Sequence, residues 1–518
     1  MPAILNWRRW SAIGIAALVL IAGTVWWLGD DETPLRTHEQ RLRVLSGPDN
    51  DQPVTLDTTL YIPEGADSEH RVPAVLLAHG FGGTKRSVTD EAQRLAKAGY
   101  AVMTWSARGF GDSGGTVHLD SPDYEVNDAR RLIDVLAARQ DIVLDGRTPD
   151  GRGDPRIAVA GASYGGGLAL LLAGYDQRVD AVIPQITWND LSRAFFPNSA
   201  DPTNTDPTNA DTVQPGVFKS AWAGALFGNN TLRPSINRSP ADRSPTDEAA
   251  AETNDPGAQE LGGEKPGTDA TCGRLAPEIC QLYLDSAGTG QASPRTTELL
   301  QRSSPAGILD QISAPTLLLQ GTQDTLFPLA EADANARGIA ATGTAVKVAW
   351  FTGGHDAAAP SEGERSRLRA MTDEWLSYYL KDRGKAPDTS FSFSQPSGVN
   401  VAQPGVITTS YSAPRYEGLD GVGVGKQLQL TGPPQQVANP PNGTPAALSS
   451  LPGLGVLLSL ADSLPGGLSG NGASGDSEID REVNGQHARF QTAPLTETTT
   501  VVGSPRTQLR IWSPSGTT

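Results

Sequence analysis

The chain has 518 residues with 41 Lys+Arg against 58 Asp+Glu, a formal charge of −17. That is too long for one ordinary domain, and an acidic surface repels polyphosphate, which argues against a nucleic-acid partner. Two cysteines exclude a disulfide-rich scaffold and a four-thiolate zinc site, while 57 glycines and 39 prolines imply many loops.

The first element is the run from Trp10 to Gly29, twenty residues without a charge. As a helix rising about 1.5 Å per residue it spans a hydrocarbon core of about 30 Å. Arg8 and Arg9 precede it and Asp30, Asp31 and Glu32 follow, so the positive-inside bias places the bulk of the chain outside the cytoplasm. Residues 1–30 are therefore read as an N-terminal transmembrane helix that anchors the chain through residues 10–29, with a cleaved signal and a secreted protein as the alternative. That topology puts Cys272 and Cys280, eight positions apart, in an oxidising compartment, where a local disulfide is expected.

Residues 54–62 read as a strand, and 73–78 as a short buried strand running into His79-Gly80. Helical spacing follows over 87–98 and 124–139, with a strand at 100–105 between them. Another strand at 156–160 leads into Gly161-Ala162-Ser163-Tyr164-Gly165, then an apolar helix over 168–173 and a strand at 181–185. Between about 195 and 311 the rhythm breaks into segments rich in Asp, Pro, Asn and Gly, read as an insertion. The alternation resumes with strands at 315–320 and 346–351 and helices at 330–341 and 367–380. Beyond Lys385 the composition shifts to Ser, Thr, Gly, Pro and Val in short alternating segments, an all-β signature. Strands alternating with helices predict a mostly parallel sheet covered on both faces. The expected units are 40–195 with 311–385 as the core, 196–310 as a lid, and 386–518 as an incomplete β-sandwich-like region.

Gly161-Ala162-Ser163-Tyr164-Gly165 matches G-x-S-x-G, the pattern of a serine on a strained strand-to-helix turn. A serine nucleophile needs a base, and the base needs an orienting carboxylate. With the order serine, acid, histidine, the base must follow Ser163. His38, His70, His79 and His118 precede it, leaving His355 and His487. His355 lies in a Gly-containing loop directly after a strand, whereas His487 sits in the β region, so His355 is the candidate base. Asp324 occupies the loop after the preceding strand and is the candidate acid, ahead of Asp333 on the next helix and Asp356 beside the base. The backbone N–H groups of Tyr164 and Phe81 are the candidate oxyanion donors, and His79 is read as holding the Phe81 loop. Trp188, Phe195 and Phe196 are candidates for lining a substrate pocket, with ordinary core packing as the equal alternative. Gly109 and Gly111 lie in a second Gly-rich loop that lacks the third glycine of a dinucleotide fingerprint, and no P-loop is present.

Four segments, Pro73 to Lys85, Ala107 to Gly115, Gly161 to Gly167 and Ala314 to Phe327, together resemble the X-Pro dipeptidyl-peptidase and cocaine-esterase family of α/β-hydrolases over about residues 50–385. The resemblance implies an α/β-hydrolase fold, the same Ser163, Asp324 and His355, and a C-terminal sandwich of jelly-roll type whose opening strands resemble residues 486–512. Some members use a tyrosine hydroxyl after the third strand, where this chain has His79-Gly80-Phe81 and must use backbone donors. The expected activity is serine hydrolysis by acyl transfer on a small-molecule or peptide substrate, either a peptide bond after proline or a carboxylic ester, with no cofactor and no metal. Two rivals are a catalytically retired surface binding protein and an envelope acyltransferase using the same triad. From Ser163 to Asp324 is 161 residues, more than two or three strand-helix units of about thirty residues require, so the excess is expected to lie over or beside the site.

Overall fold

A computed structural model describes residues 34–197, 216–231, 272–357, 360–399, 406–417, 419, 428–438, 485 and 487–497, with three isolated positions further on. The expected membrane-spanning run at 10–29 lies outside the described residues, as do large parts of the insertion and of the C-terminal region. Among the described residues no helix is long and apolar enough to cross a membrane.

The chain opens with β1 (Leu35–Ser46), β2 (Gln52–Pro63) and β3 (Ala74–Ala78), then α1 (Thr89–Lys97), β4 (Ala101–Trp105) and α2 (Glu125–Ala137). A small hairpin, β5 (Leu144–Arg147) with β6 (Gly153–Pro155), precedes β7 (Ile157–Ala162), α3 (Tyr164–Tyr175), β8 (Val179–Gln185) and the short α4 (Leu191–Phe195). The insertion contributes α5 (Ser220–Thr231), α6 (Pro277–Thr289) and α7 (Pro294–Arg302). The pattern resumes with β9 (Thr316–Gly321), α8 (Leu329–Ala340), β10 (Val346–Phe351), α9 (Glu362–Lys381), β11 (Phe391–Val399) and β12 (Val406–Ala413).

Ten strands form one sheet in the order β1-β2-β4-β3-β7-β8-β9-β10-β11-β12, and β5-β6 stands apart. The strands from β4 to β10 run parallel. Central parallel strands are buried on both faces, which is why Ala74–Ala78 is apolar throughout and Val346–Phe351 is buried along its whole length, its one charged residue, Lys347, pairing its ammonium with Asp388 at 3.0 Å. Within them the period of two still sorts side chains. Leu76, Val159 and Leu318 pack under α2, α3 and α8 on one face. Val75, Leu77, Leu317 and Leu319 pack under α1 and α9 on the other, around Trp375 and Leu376. Each such side chain, fully removed from water, contributes roughly 1.5–3 kcal/mol.

Two features differ from expectation. β1 is a full-length antiparallel strand paired along β2, although its sequence carries Arg36, Glu39, Arg41 and Arg43. It lies at the sheet edge, where charged side chains are tolerated and discourage further pairing. β11 and β12, expected within a separate all-β region, extend the central sheet instead. β11 lies parallel to β10 at Ala349 and Ser392, and β12 pairs antiparallel with β11. Phe391 is buried against Trp350 and Tyr416, with ring centroids 4.8 and 4.9 Å away, so the core continues past residue 386.

Candidate active site

The carboxyl ends of β3, β7, β9 and β10 open into four loops along one edge of the sheet. These loops begin with His79, Ser163, Thr322 and Thr352, and the last two carry Asp324 and His355. Ligands of open α/β sheets bind at this edge because each loop presents side chains without disturbing the strand below.

Ser163 stands alone between β7 and α3 with φ +56° and ψ −119°. A non-glycine residue in that region is strained by about 1–3 kcal/mol and persists only where its surroundings impose it. Here the tight approach of glycines imposes it. A Cβ on Gly161 would lie 2.5 Å from the Gly165 carbonyl oxygen, and one on Gly165 would lie 2.6 Å from that of Ala78. The two glycines of the motif let the turn fold onto itself and onto β3, and the turn pushes the serine hydroxyl out from the edge.

The hydroxyl meets an imidazole. Ser163 Oγ and His355 Nε2 are 2.7 Å apart, and His355 Nδ1 lies 2.6 Å from Asp324 Oδ2. The Asp324 side chain is wholly buried. Its other oxygen accepts the Leu326 and Phe327 N–H groups at 3.0 and 2.8 Å. Those two amides fix the carboxylate plane, so Oδ2 has one orientation toward the ring. The edges of Phe327 and Trp222 face the imidazole, with centroids 5.2 and 6.2 Å from it.

The rival carboxylates have other partners. Asp356 accepts from the Thr325 backbone N–H at 3.1 Å and the Thr325 hydroxyl at 2.7 Å, bracing the loop that carries Asp324. Asp333 pairs with Arg337 and accepts from the Tyr416 hydroxyl. Two residues of the insertion also hold the acid loop, and neither was singled out from the sequence. Lys219 Nζ donates to the Thr325 and Leu326 carbonyls at 2.7 and 2.9 Å, and Trp222 Nε1 donates to Thr325 Oγ1 at 3.1 Å. Their only sequence signal is a Lys and a Trp three apart at the start of an apolar helix.

On the oxyanion side, Tyr164 is the first residue of α3, so its amide has no partner inside the helix. The loop after β3 lies against the serine: a Cβ on Gly80 would be 3.7 Å from Ser163 Cβ. His79 holds that loop with both ring nitrogens. Nδ1 donates to the Gly80 carbonyl at 2.7 Å and Nε2 accepts the Ala107 N–H at 2.9 Å. The Phe81 ring stacks edge-on against Phe110 and Tyr164, at 5.1 and 5.5 Å. Arg108, at the start of the second Gly-rich loop, is committed to a two-armed pair with Asp128 on α2 at 2.7 Å.

Burial pushes the His79 imidazole down to about 4, against the opposing effect of its bond to the Gly80 carbonyl. The unfolded chain takes up that proton near pH 6.5, the folded one only near 4. The neutral ring therefore contributes stability above pH 6.5 that is lost as pH falls toward 4, about 3 kcal/mol in all. Urea unfolding of the parent and of His79→Gln at pH 7.5 and 4.5 should show the parent's advantage shrinking by that order on acidification. A gap that stays constant counts against a buried neutral His79.

An apolar pocket of about 120 Å³ opens at Ser163. Phe81, Tyr164, Trp188, Phe195 and Phe196 form its core side, so the three aromatics expected near a substrate all line it. Trp188 and Phe196 are at the same time buried core residues, and Trp188 Nε1 donates to the Ser303 carbonyl at 2.9 Å. The opposite wall comes from the insertion, through Leu226 and Phe227 of α5, Ile279 and Leu282 of α6 and Leu299 and Leu300 of α7. Cys272 and Cys280 are joined in a disulfide that ties the strand-like stretch carrying Leu275, bridged to Val117, to the start of α6. Among the described residues no three His, Cys, Asp or Glu side chains are placed to hold a metal ion.

The family described as X-Pro dipeptidyl-peptidase (S15 family) matches residues 51–335. The quorum-quenching protein AidA of Acinetobacter baumannii is 33% identical over 127 residues, which are 24% of this chain and 38% of that protein. Cutinase 2 of Thermobifida cellulosilytica is 29% identical over 131 residues, 25% of this chain and 44% of the cutinase. The matches thus span under half the length of these relatives. Among solved structures, the acylaminoacyl peptidase of Pyrococcus horikoshii aligns over 68% of this chain and 43% of its own, with 14% identity and a TM-score of 0.40. An acetyl xylan esterase from Paenibacillus aligns over 66% and 89%, with 17% identity and a TM-score of 0.38.

Proposed function

The chain belongs to the X-Pro dipeptidyl-peptidase (S15) family of serine hydrolases with the α/β-hydrolase fold, and on that premise we propose that it cleaves a carboxylic acyl bond by transferring the acyl group to Ser163. The observation that carries this reading is the continuous chain from Ser163 Oγ through His355 to Asp324, at 2.7 and 2.6 Å. Ser163 Oγ attacks the carbonyl carbon while His355 Nε2 takes its proton, and Asp324 holds Nδ1–H and stabilises the imidazolium. The Tyr164 and Phe81 amides receive the developing oxyanion, a contribution of roughly 10²–10³ in rate for each donor. As the tetrahedral species collapses, His355 returns its proton to the leaving atom. Water, deprotonated by the same nitrogen, then releases the acid and regenerates the serine.

The lid role of residues 196–310 is part of this proposal, supported by the pocket wall that α5, α6 and α7 supply. So is the location. A catalytic unit outside the cytoplasm, anchored through residues 10–29, is supported by the uncharged run behind Arg8 and Arg9 and by the Cys272–Cys280 disulfide, which persists in oxidising surroundings.

A fluorophosphonate probe tests the chemistry. It should label the purified protein at one site, and peptide mass mapping should find the adduct on Ser163. A folded protein that takes no label, or takes it elsewhere, would remove Ser163 as the nucleophile.

A further inference from the structure

The pocket at Ser163 says more about substrate than the triad does. Among the described residues no acidic, basic or amide side chain lines it. An X-Pro dipeptide carries a free ammonium that must be received by a carboxylate, since burying an unpaired charge is prohibitive. Behind the wall lies Asp120, whose own N–H donates to the Tyr164 hydroxyl at 3.1 Å. It is fully buried and does not line the pocket, and burial together with Glu125 raises its carboxyl well above the usual range.

The shape is as informative as the polarity. Ile279, Leu282 and Ser286 line the pocket from successive turns of α6. Seven residues of helix span about 10 Å, so the cavity is a channel rather than a slot for one ring. Its side of the serine is also defined. His355 must hand its proton to the leaving atom, which places the leaving group against the imidazole. The pocket is lined by Ser163, Tyr164 and Phe81, and by Phe327 where that ring meets the imidazole, but not by His355 or Trp222 themselves. Most of the channel thus lies on the Tyr164 and Phe81 side of the serine, which suits the portion that stays on Ser163.

We infer that the substrate is an ester whose acyl group is an extended alkyl chain, held in the channel between α3 and the α5–α7 insertion, and not an X-Pro dipeptide. This rests on the reading of Ser163 as nucleophile. The reaction breaks the acyl carbon–oxygen bond of the ester and forms one to Ser163 Oγ. The alcohol leaves with the proton from His355, and water then hydrolyses the acyl-enzyme.

The test measures kcat/KM of the full chain on p-nitrophenyl acetate, benzoate, octanoate and laurate, on ethyl octanoate against octyl acetate, and on Ala-Pro p-nitroanilide, with fluorophosphonate labelling in parallel. Each methylene buried from water is worth up to about fourfold, so the six extra methylenes of octanoate should raise it over acetate by up to on the order of 10³-fold. Octanoate should also exceed benzoate, and ethyl octanoate should exceed octyl acetate. Ile279→Trp, or the milder Leu226→Phe, should lower the octanoate-to-acetate ratio by about tenfold by shortening the channel. Preference for Ala-Pro p-nitroanilide, acetate or benzoate, or faster cleavage of octyl acetate, overturns the alkyl-acyl proposal. If Ser163 still takes label in those cases, the hydrolase reading stands. No label and no turnover on any substrate overturns both.

Discussion

Ser163→Ala should lower turnover by on the order of 10⁶ and abolish fluorophosphonate labelling, while the unfolding midpoint moves by no more than a few degrees. The size of the loss follows from what the hydroxyl does. In the proposed mechanism it is the atom that bonds to the acyl carbon, and its 2.7 Å contact with His355 Nε2 is the route by which its proton leaves. Without it, that mechanism leaves the proposed oxyanion donors and the pocket to bind substrate, but water must attack unaided by a covalent step. The small stability change follows from the same geometry. The strain at φ +56° belongs to the backbone between β7 and α3, enforced by the packing of Gly161 and Gly165, and alanine adopts the same turn. Circular dichroism with single-turnover kinetics on one activated ester checks both halves. Retention of more than about a hundredth of the parent rate would mean that another group performs the attack.

Asp324→Asn should cost on the order of 10⁴ in kcat with the fold intact. The carboxylate does two separable jobs. Oδ1 accepts the Leu326 and Phe327 amides, and an asparagine carbonyl can keep both bonds. That orientation turns the side-chain NH₂ toward His355 Nδ1, where Oδ2 now accepts at 2.6 Å. Two donors cannot share that bond, so the ring must shift its hydrogen to Nε2 and loses the lone pair that takes the serine proton. The substitution changes a tautomer rather than a position. Steady-state kinetics should show the loss in kcat with KM little changed, because the pocket at Ser163 is untouched. A loss confined to KM would show that Asp324 shapes the site instead of setting the imidazole.

Much of this site was legible in the sequence, and the reason lies in how few residues could play each part. G-x-S-x-G after an apolar strand requires one turn geometry, chain order then leaves two histidines of six, and only His355 follows a strand directly. The structure joins the three residues so selected through two short hydrogen bonds. Trp188, Phe195 and Phe196 were ambiguous between pocket and core, and the ambiguity was real: the pocket wall is the outer surface of a core cluster that contains Trp188 and Phe196. The roles of Lys219, Trp222 and Asp356 around Thr325 had no such signal, because they depend on which carbonyl or hydroxyl happens to face them across the fold.

Local pattern and chain order determined the strand-helix alternation, the serine turn and the partners of that serine, because each depends on residues adjacent in sequence or on a topology with one workable order. Only the tertiary structure decided what depends on pairing and on approach between distant segments. An alternating strand reads the same whether it edges a separate sandwich or extends a parallel sheet. The contact of Phe391 with Trp350 and Tyr416 is what assigns β11 and β12 to the central sheet. A charged alternation such as that of β1 reads as loop until β2 is there to pair with it. The lack of a charged side chain along the channel among the described residues is likewise a property of three helices brought together from residues 220–302. Apolar faces on separate helices do not announce that they will enclose one cavity; packing against Tyr164 and Trp188 beside the serine does.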